Sequence, residues 1–200
     1  YADSFGRPVK SLIFPGGYEH DHYVKIIKEK FGVNPVAIAP SLEIIERILR
    51  RGQDFITPGL VEKSGRFPYS KPKILGDMFF KDPKYAYHIL NLSLAIQSYA
   101  AVKSISEKKM DVIVQGGFAN NDIYLLILSA LLPDYRVLKS GFSETTGLGA
   151  ALCAKCAVEG IKPKEVEVDL PAEEVPKPAI DLDMLHRYLD EFLRRVSQFR

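Results

Sequence analysis

The stretch from Val112 to Gly160 constrains this chain more than any other part of it. Val112-Ile113-Val114 is a short unbroken apolar run, suited to a strand buried on both faces, and it leads directly into Gln115-Gly116-Gly117. Asn120 or Asn121 then caps an apolar helix reaching Leu132. Arg136-Val137-Leu138 supplies a second strand, and Thr145 or Thr146 caps a helix that Gly160 stops. Strand, turn, helix, repeated, is the grammar of an α/β layer with a parallel pair, because parallel neighbours need a crossover long enough to hold a helix.

The flanking segments predict elements that enclose this layer. Phe5-Gly6-Arg7-Pro8 and the run Ser11-Leu12-Ile13-Phe14 read as a hairpin or strand pair, broken by Gly16-Gly17. Val24, Ile26, Ile27 and Phe31 fall at helical spacing from Asp21 onward, with Gly32 as the stop, and Ser41 opens a short helix that Gly52 ends. From Gly52 to Asp82 the dipeptides Pro58-Gly59, Ser64-Gly65 and Lys71-Pro72 punctuate irregular strand and loop. Asp82-Pro83 opens a helix to about Ser106 that is apolar or small on most faces, so it is buried on more than one side. Residues 162–178 carry four prolines and form a connector. Leu182, Leu185, Leu189, Phe192 and Val196 mark a closing amphipathic helix. The organisation expected is one domain over residues 1–162, with 163–200 as connector and closing helix packed on it.

Composition narrows the function classes. At 200 residues with 46% apolar and 26% charged side chains, the chain can bury a core and is neither disordered nor a coiled-coil rod. A formal charge of +2, evenly spread, gives no footprint for nucleic acid. The longest apolar stretch, residues 123–132, is half of the ~20 residues that a membrane span needs, so no membrane partner is expected and the location expected is cytoplasmic. The chain begins at Tyr1, a few residues before an apparent strand, which suggests a piece of something longer.

Four groups of side chains could carry chemistry. Cys153 and Cys156 have CxxC spacing, but no second ligand pair accompanies them and they lie well inside a helix, so both read as small apolar core groups. Glu19-His20-Asp21-His22 is dense in metal-capable groups, yet it lacks a third ligand, and His88 and His186 lie on other helices; no metal site is expected. Gly147-Leu148-Gly149 is a fragment of a dinucleotide fingerprint without its third glycine, and close helix packing by Gly149, Ala150, Ala151 and Ala154 explains it. Gly116-Gly117 is the best-founded site. A ligand at the carboxyl end of a parallel strand meets backbone N–H groups there, glycine permits close approach, and Asn120 and Asn121 offer amides to a nucleoside or sugar. A tight turn with no ligand is the alternative.

Val112-Ile-Val-Gln-Gly-Gly-Phe-Ala-Asn-Asn and Ser143-Glu-Thr-Thr-Gly-Leu-Gly-Ala-Ala-Leu-Cys-Ala resemble the C-terminal domain of FGGY-family carbohydrate kinases. Phe5-Gly-Arg-Pro-Val, Phe14-Pro-Gly-Gly-Tyr-Glu and Ser64-Gly-Arg-Phe-Pro are similar to segments of one branch of that family. The resemblance implies a ribonuclease H-like, actin-type ATPase domain, a mixed sheet with flanking helices, closing with an N-terminal domain over ATP, Mg²⁺ and a sugar. It implies transfer of the γ-phosphoryl group to a sugar hydroxyl, with a ketose or deoxy-ketose as the sugar class. Carried over residue by residue, it marks Gly116, Gly117, Asn120 and Asn121, then Thr145, Thr146 and Gly149, for nucleotide binding. The family's catalytic Asp and its Thr-Gly-Thr phosphate loop have no counterpart in this sequence. Asp21 follows a His but stands at the wrong place to be that base, so the catalytic base is expected in an N-terminal domain and this chain alone is expected to be inactive. Two other readings stand beside this one: another actin-like ATPase or small-molecule kinase, and an α/β binding module without catalysis. The closing helix could dock in cis or serve a homodimer.

Overall fold

A computed structural model of the chain describes residues 1–3, 5–106, 108–142 and 144–197. In chain order the elements are α1 (Gly16–Phe31), α2 (Leu42–Arg51), β1 (Phe55–Thr57), β2 (Lys73–Leu75), α3 (Pro83–Ile105), β3 (Asp111–Val114), α4 (Asp122–Leu131), β4 (Arg136–Ser140), α5 (Thr145–Glu159), β5 (Ala172–Glu174) and α6 (Leu182–Ser197). Short 3-10 turns lie between several of them, including one at Gly116–Asn120.

The helix α3 is the axis of the molecule. Asp82 accepts from the Lys84 N–H at 2.7 Å, and Pro83 occupies the first helical position, where a missing N–H costs nothing. Every residue from Ala86 to Gln97 is buried, as its lack of a polar face requires. The helices α1, α2 and α4 and the hairpin β1–β2 all pack against it. Polar groups on this buried stretch are paired: the Ser93 hydroxyl donates to the Ile56 carbonyl at 2.6 Å, and the His88 ring accepts the Ser41 N–H at 3.1 Å through Nε2 and donates to the Lys84 carbonyl at 2.7 Å through Nδ1.

The sheet is mixed, in the order β3-β4-β5, with β3 parallel to β4 and β5 antiparallel to it. The register runs Val112 to Val137 and Leu138 to Glu174. The helix α4 crosses from β3 to β4 and covers one face. Against expectation β3 is not buried on both faces: Ile113 is 53% exposed. The reason is its place at the sheet edge, together with the position of α5, of which Cys156 is the one buried residue. β5 was hidden in the proline-rich connector, since its three exposed residues, Ala172-Glu173-Glu174, carry no apolar alternation.

The start of the chain also departs from the predicted pattern. Gly16-Gly17 opens α1 rather than breaking the chain, because Glu19 in the first turn is anchored in the core, where its carboxylate accepts the Gly59 N–H at 3.1 Å and the Gln97 side-chain amide at 2.7 Å. Residues 11–14 form no strand. The Ile13 carbonyl takes one bond, from the Gly65 N–H, and the pairing near the N-terminus is a single bridge between Ala2 and Pro8. The helix α6 lays Leu185, Tyr188, Leu189, Phe192 and Val196 against α2 and β1, with Tyr188 stacked on Phe55 at 4.4 Å.

Candidate functional site

β3 delivers the chain to Gln115 in extended conformation, and Gly116 then turns it with φ +66°, a left-handed geometry that a side chain adopts only with strain. A Cβ added at Gly116 or Gly117 would meet no atom of the described residues within 4 Å, so among them the outer face of the turn is open space. The 3-10 turn that follows is held firmly from beneath. Asn121 is buried; its side-chain oxygen accepts the Tyr124 N–H at 3.1 Å, capping α4, while its Nδ2 donates to Asn91 at 2.7 Å. Asn91 in turn donates to the Tyr87 carbonyl at 2.9 Å. The turn is thus tied through two amides to the buried middle of α3.

Aromatic rings complete the support. Phe118 lies over Tyr124 at 4.6 Å and meets the His20 ring edge-on at 6.0 Å. Tyr124 donates to the Ser98 hydroxyl at 2.7 Å, and burial pushes its phenol up to about 12, against the opposing pull of that hydrogen bond. His20 sits with one ring nitrogen 3.2 Å from Asp21 and the other 3.2 Å from the Tyr87 hydroxyl. His22 is turned away onto Tyr23, so the two histidines do not converge, and among the described residues no group of three metal-capable side chains comes together.

The start of α5 is joined to the residue before the turn. The Thr145 hydroxyl donates to the side-chain oxygen of Gln115, fastening the first residue of α5 to the end of β3. Thr145 therefore stands inside the helix, and neither it nor Thr146 is the cap, which falls on Glu144. Thr146, Gly147 and Gly149 are exposed, and a Cβ at either glycine would meet none of the described residues within 4 Å. This overturns the expectation of close packing by Gly149: Ala150, Ala151 and Ala154 are exposed as well, because α5 stands out from the sheet instead of lying on it. Cys153 is exposed while Cys156 is buried, so one cysteine of the two fills the interior.

The structure brings Gly116, Gly117, Thr145 and the start of α5 to one place, with Asn120 exposed beside them and Asn121 beneath as a fastening. Helix α5, at 15 residues, begins there, and its N-cap residue Glu144 makes no side-chain cap bond among the described residues. An open glycine turn beside a helix N-terminus can take a phosphate or a sugar hydroxyl without steric conflict. Gln115 and Phe118 escaped the sequence reading. Gln115 stands inside the Val-Gln-Gly-Gly run that drew attention to the turn, but nothing in a sequence says that its amide will reach Thr145.

The family described as carbohydrate kinase FGGY, C-terminal domain, matches residues 1–163. The crystal structure of a carbohydrate kinase from Novosphingobium aromaticivorans superposes with a TM-score of 0.64 at 21% identity, over 92% of this chain and 36% of that one. This chain thus spans about a third of that kinase's length. No curated protein sequence matches. The shared architecture is the actin-like ATPase type of α/β domain, and its mixed sheet with flanking helices is the one described above. By the match over residues 1–163, this chain belongs to the FGGY carbohydrate kinases, as a C-terminal domain.

Proposed function

We propose that this chain is the nucleotide-binding side of a sugar kinase, in which ATP gives its γ-phosphoryl group to a hydroxyl of a ketose or deoxy-ketose. The observation that carries this is the open turn at Gly116-Gly117 beside the start of α5, where Thr145 bonds to Gln115 and Glu144 makes no side-chain cap among the described residues. In this reading the turn and the first N–H groups of α5 receive the phosphates, and Gly147 and Gly149 leave room for the rest of the nucleotide. Asn120 and Thr146 are the exposed polar side chains placed to meet the ribose or base, and Asn121 acts by holding the turn.

Mg²⁺ belongs with the triphosphate, whose charge it offsets. Among the described residues no group of three metal-capable side chains comes together to hold it. The catalytic base and most sugar contacts fall to an N-terminal domain of the same kinase, since phosphoryl transfer rests on positioning both substrates between two walls. The protein works in the cytoplasm, where ATP is plentiful.

Calorimetric titration with ADP tests the binding half of this reading: saturable heat at up to millimolar nucleotide is expected, weakly because half of the contacts are elsewhere. Absence of saturation would favour a binding module without nucleotide. A coupled assay on this chain is expected to show no magnesium-dependent phosphorylation of a ketose, and turnover there would overturn the division of labour between two domains.

A further inference from the structure

A concave site lies away from the Gly116 turn. The loop at residues 66–70, the second half of α3 and the last turn of α6 line an open groove of about 880 Å³, within the ~300–1,000 Å³ range of small-molecule sites. None of its lining residues belongs to the glycine turn or to α5. Among the described residues its charge is one-sided: Arg66 and Lys103 line it and no Asp or Glu does. Neither cation is paired with a carboxylate among the described residues; Lys103 lies over the Tyr135 ring at 5.4 Å.

The wall contains an unmet polar group. Ser70 is 7% exposed, and its hydroxyl has no hydrogen-bond partner among the described residues. A buried hydroxyl left unpaired costs about 1–3 kcal/mol, a cost that a polar ligand reaching it would relieve. Tyr69 and Tyr99 also line it. Ser104 spends its proton on the Ala100 carbonyl at 2.7 Å, which leaves its oxygen free to accept.

We propose that this groove binds a phosphorylated sugar. Arg66 and Lys103 meet the phosphate, the first through its planar fork and the second as a point charge. The tyrosine rings take the C–H face of the sugar, and Ser70 and Ser104 meet its hydroxyls. An apolar ligand would leave two cations and the Ser70 hydroxyl unmatched, and a cationic one would be repelled. The site is independent of the nucleotide reading, since it uses no residue of that turn.

Calorimetric titration of the protein with ribose 5-phosphate, ribose and inorganic phosphate tests the proposal, beside an Arg66→Ala/Lys103→Ala double variant and Ser70→Ala. Both cations are exposed, so the double variant is expected to melt with the parent. Ribose 5-phosphate should saturate one site on the parent, bind at least about tenfold more weakly to the double variant and a few-fold more weakly to Ser70→Ala, and outbind both ribose and phosphate. ADP affinity should be the same in parent and variants, which separates this site from the proposed nucleotide turn. No saturable binding of ribose 5-phosphate, unchanged binding in the double variant, or equal binding of ribose or inorganic phosphate would overturn the proposal.

Discussion

Glu19 joins three segments through one buried carboxylate. Its two oxygens accept from Gly59 in the loop after β1 and from Gln97 on α3, and the residue is 2% exposed. Replacing it by Ala strands a backbone donor and an amide in the interior, each at about 1–3 kcal/mol, so Glu19→Ala is expected to lose roughly 2–4 kcal/mol, read from the urea midpoint at constant slope. The same carboxylate, after burial itself, raises the Tyr23 phenol. His88 offers a pH-dependent test. Burial lowers its pKa below the ordinary value of about 6.5, against the contrary pull of its bond to the Lys84 carbonyl. The folded protein therefore holds it neutral while the unfolded chain takes up a proton, and the unfolded state binds more protons in the window below pH ~6.5. Stability is expected to be full above that pH and to fall as pH drops toward the folded pKa, with a slope of at most about 1.4 kcal/mol per pH unit from this group. His88→Gln should show a flatter profile between about pH 7 and 5, whatever its loss at pH 7; an identical slope would show that His88 is not the group responsible.

The elements differ in how plainly the sequence announces them, and the differences have physical causes. The caps of α2 and α3 follow from local chemistry: Ser41 accepts the Ile44 N–H at 3.3 Å, Asp82 accepts that of Lys84, and Gly52 ends α2 in the left-handed region. Such signals lie within four residues, so a reader of the sequence sees them whole. α1 was legible only in its second half, because its start depends on Glu19 reaching Gly59 and Gln97, contacts that span 40 and 78 residues. The candidate site divides the same way. Gly116-Gly117 was visible as a turn, while the Gln115–Thr145 bond spans 30 residues and was not. Apolar content misled at α5, where alanines suggested packing and the helix instead stands exposed, with Val158 at 87%. A charge there should therefore be tolerated: Val158→Lys is expected to change stability by less than about 0.5 kcal/mol. The opposite holds for α6, whose stripe is closed against α2 and β1. Phe192 is 1% exposed and packs on Phe55 and Phe67, so Phe192→Ala is expected to lose about 3–5 kcal/mol in the same unfolding assay. A loss below about 1 kcal/mol would mean that residues 163–200 do not share a core with the rest of the chain.

Across the whole molecule, rigidity and openness are kept apart. The core is organised around α3, and it reaches the glycine turn through Asn91 and Asn121, so the turn has a fixed underside and a bare outer face. This arrangement separates binding from stability at neighbouring positions. Gly116 has φ +66°, where a side chain is strained, and Gly116→Ala is expected to destabilise the protein by roughly 1–2 kcal/mol with or without nucleotide. Gly117 is in a conformation open to other residues, and a Cβ there meets none of the described residues within 4 Å. Gly117→Val should therefore leave the urea midpoint within about 1 kcal/mol of the parent. Its branched side chain nevertheless stands where the proposed phosphates approach, and ADP affinity is expected to fall at least about tenfold, about 1.4 kcal/mol. The informative quantity is the ratio of the two effects: a stable Gly117→Val with undiminished ADP binding would move the nucleotide off this turn, whereas selective loss of binding would tie it to the bare face that α3 and its amides hold in place.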